Sequence, residues 1–243
     1  MQSIYWTGRL ISRALWNGLS NYSAYSDHTI TKKREVSLVS GICGFPKNFT
    51  QGRIKRGQFG DDAWFCGKFK ALEVIGSSTA CIIVLNKETS CIYAANIGDS
   101  GFVIVRKGEV VHRSSEQQHY FNTPFQLSLP PPGHLNLVLS DSPESAETST
   151  FGVENGDVIL LATDGVFDNV PDQVLITEMC KIEGERDPMK IQSVANTIAW
   201  MARSFAFDGN FLSPFAQSAR ENGIDAIGGK PDDITVLLAT VAI

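Results

Sequence analysis

Cys81-Ile82-Ile83-Val84-Leu85, Lys87-Glu88-Thr89 and Cys91-Ile92-Tyr93-Ala94-Ala95 form the stretch whose reading decides the fold. Two short apolar runs flank a polar turn, the pattern of an antiparallel hairpin. It recurs at once, with Phe102-Val103-Ile104-Val105 and Val110-Val111-His112 on either side of Arg106-Lys107-Gly108. Upstream, the apolar residues from Leu38 to Phe45 mark the expected start of order, and Pro46 ends that element because proline cannot donate to a ladder. Downstream, Leu129-Pro130-Pro131-Pro132-Gly133 and the acidic, Ser/Thr-rich run Asp141 to Thr150 are expected to form surface loop. Val158-Ile159-Leu160-Leu161 is a buried strand ending at Thr163-Asp164-Gly165.

Helices follow. Leu175, Met179 and Ile182 mark a short one. Asp187 before Pro188 is an N-cap with proline in the first turn, and Ile191, Val194, Ile198, Met201 and Phe205 recur on one buried face. After Gly228-Gly229-Lys230-Pro231, residues Ile234 to Val241 close the chain as a strand. Strands, then helices, then a last strand define an α+β fold, a layered β-sandwich with helices outside.

At 243 residues and 43% apolar content, one domain is expected. A net charge of -5 disfavours nucleic acid as a partner. The basic clusters Lys32-Lys33-Arg34 and Arg53, Lys55, Arg56 are short enough to be solvated loops. Five widely spaced cysteines, with no C-x-x-C pair, are expected to be free thiols. No apolar run approaches the roughly 20 residues that span a bilayer, so no transmembrane segment is expected. Residues 1–26 contain Arg9, Arg13 and several serines but no acid, and Ile4, Leu10, Ile11 and Leu15 share a helical face. This fits a mitochondrial targeting segment, an ordinary amphipathic helix or a disordered N-terminus over residues 1–35, ahead of a domain at 36–243.

Four acidic spots fall at the edges of expected strands: Gly60-Asp61-Asp62, Gly98-Asp99-Ser100, Thr163-Asp164-Gly165 and Pro231-Asp232-Asp233. Taken singly, each is better explained as a turn. Gathered over one sheet end, the carboxylates would need a cation to offset their repulsion, and oxygen-only ligation favours magnesium or manganese over zinc. The histidines His28, His112, His119 and His134 lack pairing at metal-ligand spacing. Ser77, Ser78 and Ser100 lack the setting of a serine nucleophile.

In order, Gly60-Asp61-Asp62-Ala63, Gly76-Ser77-Ser78-Thr79-Ala80, Asn96-Ile97-Gly98-Asp99-Ser100, Ala162-Thr163-Asp164-Gly165-Val166-Phe167-Asp168 and Lys230-Pro231-Asp232-Asp233-Ile234-Thr235 resemble the motifs of the metal-dependent type 2C serine/threonine protein phosphatases. Glu116 to Leu127 and Ser213-Pro214-Phe215-Ala216-Gln217 look like the mitochondrial branch of that family. The resemblance runs from about residue 50 to the end. It implies a helix-flanked sandwich, two Mg²⁺ or Mn²⁺ ions, and hydrolysis of phosphoserine or phosphothreonine in phosphoprotein substrates by a metal-activated water, with no side-chain nucleophile. By motif, Asp61 would hold one metal and Asp164 and Asp232 the other. Asp99 would help bind a further cation, with Asp62, Asp233 and Gly165 around the ligands and Lys55 or Arg56 on the phosphate. It also implies a mitochondrial, matrix location, with cytoplasmic as the alternative.

One departure stands out. The family's Asp-Gly-x-Gly-Gly loop, whose aspartate bridges both metals, is expected after Ala71-Leu72-Glu73-Val74-Ile75, but Ile75 runs straight into Gly76. Part of the helical layer is therefore expected to be deleted, leaving sheet uncovered. The expectation is a phosphatase with impaired activity. A catalytically inactive pseudophosphatase, acting as a phosphoprotein-binding or regulatory protein, is the alternative.

Overall fold

The computed structural model describes residues 3–7, 37–45, 64–66, 76–129 and 139–243, with the backbone alone at 3–7, 44–45, 64–66 and 129. Among them are β1 (Ser3–Thr7), β2 (Ser37–Phe45), β3 (Trp64–Cys66), β4 (Gly76–Ser78), β5 (Ala80–Asn86), β6 (Cys91–Ile97) and β7 (Gly101–Arg106). There follow β8 (Glu109–Arg113), β9 (Gln118–Tyr120), β10 (Thr123–Pro124), β11 (Leu127–Leu129), β12 (Glu147–Gly152) and β13 (Val158–Ala162). The helices are α1 (Asp164–Phe167), α2 (Asp172–Cys180), α3 (Pro188–Ala206) and α4 (Pro214–Glu221), and β14 (Ile234–Ala242) ends the chain.

Both hairpins form as the sequence predicts. β5 pairs antiparallel with β6, and β7 with β8. Each belongs to a different sheet, one in the order β12-β6-β5-β1-β3 and the other β2-β14-β13-β7-β8. The central strands of the second sheet are buried on both faces, which explains their unbroken apolar runs. Phe102, Ile104, Ile159, Leu161 and Leu237 meet Cys81, Ile83, Leu85 and Ile92 of the first sheet. The alternate residues Val103, Val105, Val158, Leu160, Val236 and Leu238 meet the helices through Leu175, Met179, Ile191 and Ile198. The period of two thus divides one strand between two cores.

α3 starts as expected, with the Asp187 carboxylate accepting from Met189 N. It crosses β2 closely. A Cβ on Gly41 would lie 2.6 Å from Gln192 Cα, and the Gln192 carboxamide bonds both the N–H and C=O of Ile42, at 3.0 and 2.6 Å. The expected buried face shifts slightly, with Ala195, Ala199 and Ala202 in the core and Val194, Met201 and Phe205 at its margin. Small residues let the helix approach the sheet.

One expectation is corrected. The run Asp141 to Thr150 is not all loop, because Glu147–Gly152 forms β12 and pairs with β6 along its whole length. Its residues alternate between partly buried and exposed, as an edge strand with one face on the protein requires. Ser3–Thr7 forms β1, its backbone bonded between β5 and β3. The rest of 1–35 lies outside the described residues. α1 to α3 all pack on the second sheet, whereas Tyr93, on the outer face of the first, is 46% exposed.

Candidate active site

Strand register brings the acids together. Gly101, Ala162 and Val236 stand in one row across β7, β13 and β14. Asp99 lies two residues before Gly101, Asp164 two after Ala162, and Asp232 four before Val236, so all three emerge at the same sheet end. Asp99 and Asp164 border a cleft of about 420 Å³ together with α1, α4 and the β8–β9 segment, lined also by Asp168, Arg113, Phe215 and Lys230. Asp233 is buried beside them, its N–H donating to Asp232 Oδ1 at 2.9 Å.

Glycines permit this closeness. Gly98 has φ +98, and a Cβ there would meet Thr79 Cγ2 at 2.5 Å. Gly165 touches the neighbouring strand's entry so tightly that a Cβ would lie 2.2 Å from Asp233 O. Thr163 ties the two ends together, its hydroxyl accepting from Thr235 N at 3.0 Å.

The centre of the cluster is a residue to which the sequence reading gave no role. Lys230 Nζ lies 2.9 Å from Asp164 Oδ2, 2.6 Å from Asp168 Oδ2 and 3.9 Å from Asp232 Oδ2. The ring of Phe215 is 5.1 Å from the same ammonium. Asp168 was also without a role, although its place four residues after Asp164 puts both on one helical face. Asn169, fully buried, carries no sequence signal for its part: it clamps the backbone of Lys230, donating to its carbonyl and accepting from its N–H, both at 2.8 Å.

Burial pushes the Asp99 carboxyl up to about 7, helped by the negative charge of Asp164. Burial likewise pushes Asp168 up to about 7, against the pull of Lys230. Asp164 is raised too, chiefly by burial. For Lys230, burial favours the neutral amine, but Asp164 and Asp168 outweigh it and hold the ammonium charged. One cation among four buried or half-buried carboxylates leaves an excess of negative charge. The carboxylates offer oxygen donors of the kind that hard divalent cations take.

Asp61, Asp62, Lys55, Arg56 and Glu73 lie outside the described residues. Among the described residues, no three His, Cys, Asp or Glu side chains stand at metal-ligating distances from one another, since Lys230 lies between the carboxylates. The described histidines have packing roles. His119 bonds Asp141 at 3.0 Å and stacks on Phe125, and His112 lies between Phe102 and Phe151. Cys81, Cys91 and Cys180 are free thiols, as expected.

Two packed antiparallel sheets, helices on an outer side and a carboxylate-lined cleft at one sheet end define a layered α+β protein with a phosphatase-type architecture. Its residues 66–196 match the family model for protein phosphatase 2C, more than half the chain. The chain belongs to the protein phosphatase 2C family and is by family a protein phosphatase. It is 41% identical to the protein phosphatase PTC7 homolog of Danio rerio and 40% to that of Homo sapiens, each comparison covering 100% of this chain and 99% of the relative. Among solved structures it is similar to the photosystem II phosphatase PBCP, with a TM-score of 0.60 and 31% identity over 69% of this chain and 65% of that one. The comparison with the Danio rerio protein spans 303 positions against 243 residues here, so at least 60 positions have no residue of this chain. Among the described residues, no helix is long and apolar enough to cross a membrane.

Proposed function

We propose that this chain is a metal-dependent serine/threonine phosphatase acting on phosphoproteins, with Asp61, Asp99, Asp164 and Asp232 as its cation-holding carboxylates. The convergence of Asp99, Asp164, Asp168 and Asp232 on one sheet end carries the reading. Magnesium or manganese, when bound, supplies the charge that activates a water and offsets the developing negative charge of the phosphoryl group. The chain's own residues hold the acids at fixed spacing through Gly98 and Gly165, and present Arg113 and Phe215 along the cleft for the substrate. Lys55 and Arg56 are the proposed phosphate contacts, with Asp62, Asp233 and Gly165 supporting the ligands.

We place the missing positions at the Ile75 to Gly76 junction, where the bridging aspartate's loop would lie, and infer reduced turnover in this form. The Arg-bearing, acid-free N-terminal residues support a mitochondrial location. Hydrolysis of a phosphothreonine peptide with millimolar Mn²⁺, against chelator and Asp164→Asn, tests the reading. The expected result is slow, chelator-sensitive turnover that Asp164→Asn abolishes. Equal rates in Asp164→Asn and the parent would remove Asp164 from the site. No turnover from folded protein would make this form a phosphoprotein-binding relative of the active enzymes.

A further inference from the structure

The acidic cluster already contains a cation that belongs to the chain. Asp164 and Asp232, the two carboxylates proposed to share one metal ion, both face Lys230 Nζ through their Oδ2 atoms. Asp168 makes the shortest of the contacts. The ammonium is built into this position. Its backbone is fixed by Asn169, the next residue is Pro231 with restricted φ, and the Phe215 ring supports Nζ from one side. The side chain is 19% exposed, so it reaches the carboxylates from within the fold.

A divalent ion bound to carboxylate oxygens approaches them to about 2.0–2.6 Å. An ion on Asp164 Oδ2 and Asp232 Oδ2 would therefore lie within a few ångströms of the ammonium, where like charges in a half-buried site repel strongly. Both cannot occupy the cluster in this arrangement. We propose that Lys230 is a tethered competitor of the divalent cation. It holds the carboxylates together in the metal-free protein, and it must give up Asp164 and Asp232 before a metal binds. Lys230 thereby sets the metal concentration at which the site fills. The inference rests on the metal-dependent reading above.

The test is Mn²⁺ binding to the full chain by titration calorimetry, comparing the parent with Lys230→Met and Lys230→Arg. Lys230→Met keeps the aliphatic stem without charge and is expected to bind Mn²⁺ about tenfold more tightly or better, while melting at a lower temperature in chelator. Lys230→Arg keeps the charge and is expected to stay within a few-fold of the parent. Equal or weaker binding by Lys230→Met overturns the competition. A second readout needs no variant. Acetylation of Lys230 in the parent, followed by mass spectrometry, should rise several-fold on adding saturating Mn²⁺, and an unchanged or lower yield counts against displacement. If neither the folded parent nor Lys230→Met binds Mn²⁺ at millimolar concentration, the metal-dependent reading itself fails. That result differs from equal affinity in the two, which would overturn the role of Lys230 alone.

Discussion

The buried carboxamide of Asn169 bonds both the N–H and the C=O of Lys230, each at 2.8 Å, and also donates to Gly165 O at 3.0 Å. One side chain thus joins α1, which begins at Asp164 and is followed by Asp168, to the segment that carries Lys230 and Asp232. Asn169→Ala leaves buried backbone groups unpaired on both sides. It is expected to cost about 2–4 kcal/mol, since each unsatisfied buried group costs about 1–3 kcal/mol. Urea unfolding with chelator present measures this, and a loss below about 1 kcal/mol would mean the groups find other partners.

Gly165 makes a closer approach at the site than Gly98 does. An added Cβ would lie 2.2 Å from Asp233 O, which is backbone and cannot rotate away. Gly165→Ala is expected to push α1 from the entry to β14, separating Asp164 from Asp232. The expected outcome is a stability loss of about 1–3 kcal/mol together with weaker Mn²⁺ binding. Calorimetry of metal binding checks the second part, which a purely local packing fault would leave unchanged.

The raised carboxyls make the stability of the metal-free protein depend on pH. Asp99 and Asp168 rise from 3.8 to about 7 on folding, mainly through burial. Between those values the folded chain holds protons that the unfolded chain has lost, so stability falls as pH rises from about 4 to about 7 and levels off above. In chelator, the urea midpoint is expected to be higher at about pH 5 than at about pH 8. The combined Asp99→Asn and Asp168→Asn variant should flatten this slope. A parent more stable at the higher pH, with the variant alike, would contradict the buried, proton-holding pair.

Away from the cleft, Arg106 donates to both oxygens of buried Asp157 at 2.7 Å, to Glu154 at 2.7 Å and to Gly152 O at 2.9 Å. Its guanidinium also lies 5.2 Å from the Phe151 ring. Arg106→Met would strand the Asp157 carboxylate, which retains the N–H of Glu154. The expected loss is about 2–4 kcal/mol, because removing one partner leaves a buried charge uncompensated. Thermal unfolding measures the loss, and Mn²⁺ affinity should not change. A shift in affinity would show that the β6–β12 edge is coupled to the site.

Local pattern made much of the fold legible. Ile82 to Leu85 and Ile92 to Ala95 had to be strands around Lys87-Glu88-Thr89, and Asp187-Pro188 had to begin a helix. Glu147 to Thr150, within the run Asp141 to Thr150, resembles a loop in composition, yet its alternate residues face the protein once β6 supplies a partner. Asp99, Asp164 and Asp232 were readable as candidates because each stands beside a glycine or a second acid at a strand end. Arg113, in contrast, has no motif of its own and reaches the cleft only through the pairing of β8 with β7.

The sequence alone determined the order of strands and helices, the apolar faces and the positions of the acids, because these depend on periodicity and on neighbours a few residues away. Tertiary structure alone decided how the acids are neutralised. Lys230 is 66 residues from Asp164 and 62 from Asp168 along the chain, and only the register of β13 against β14 brings them together. Charge interactions depend on separation in space and on burial. Neither quantity exists for these side chains until the sheet has formed.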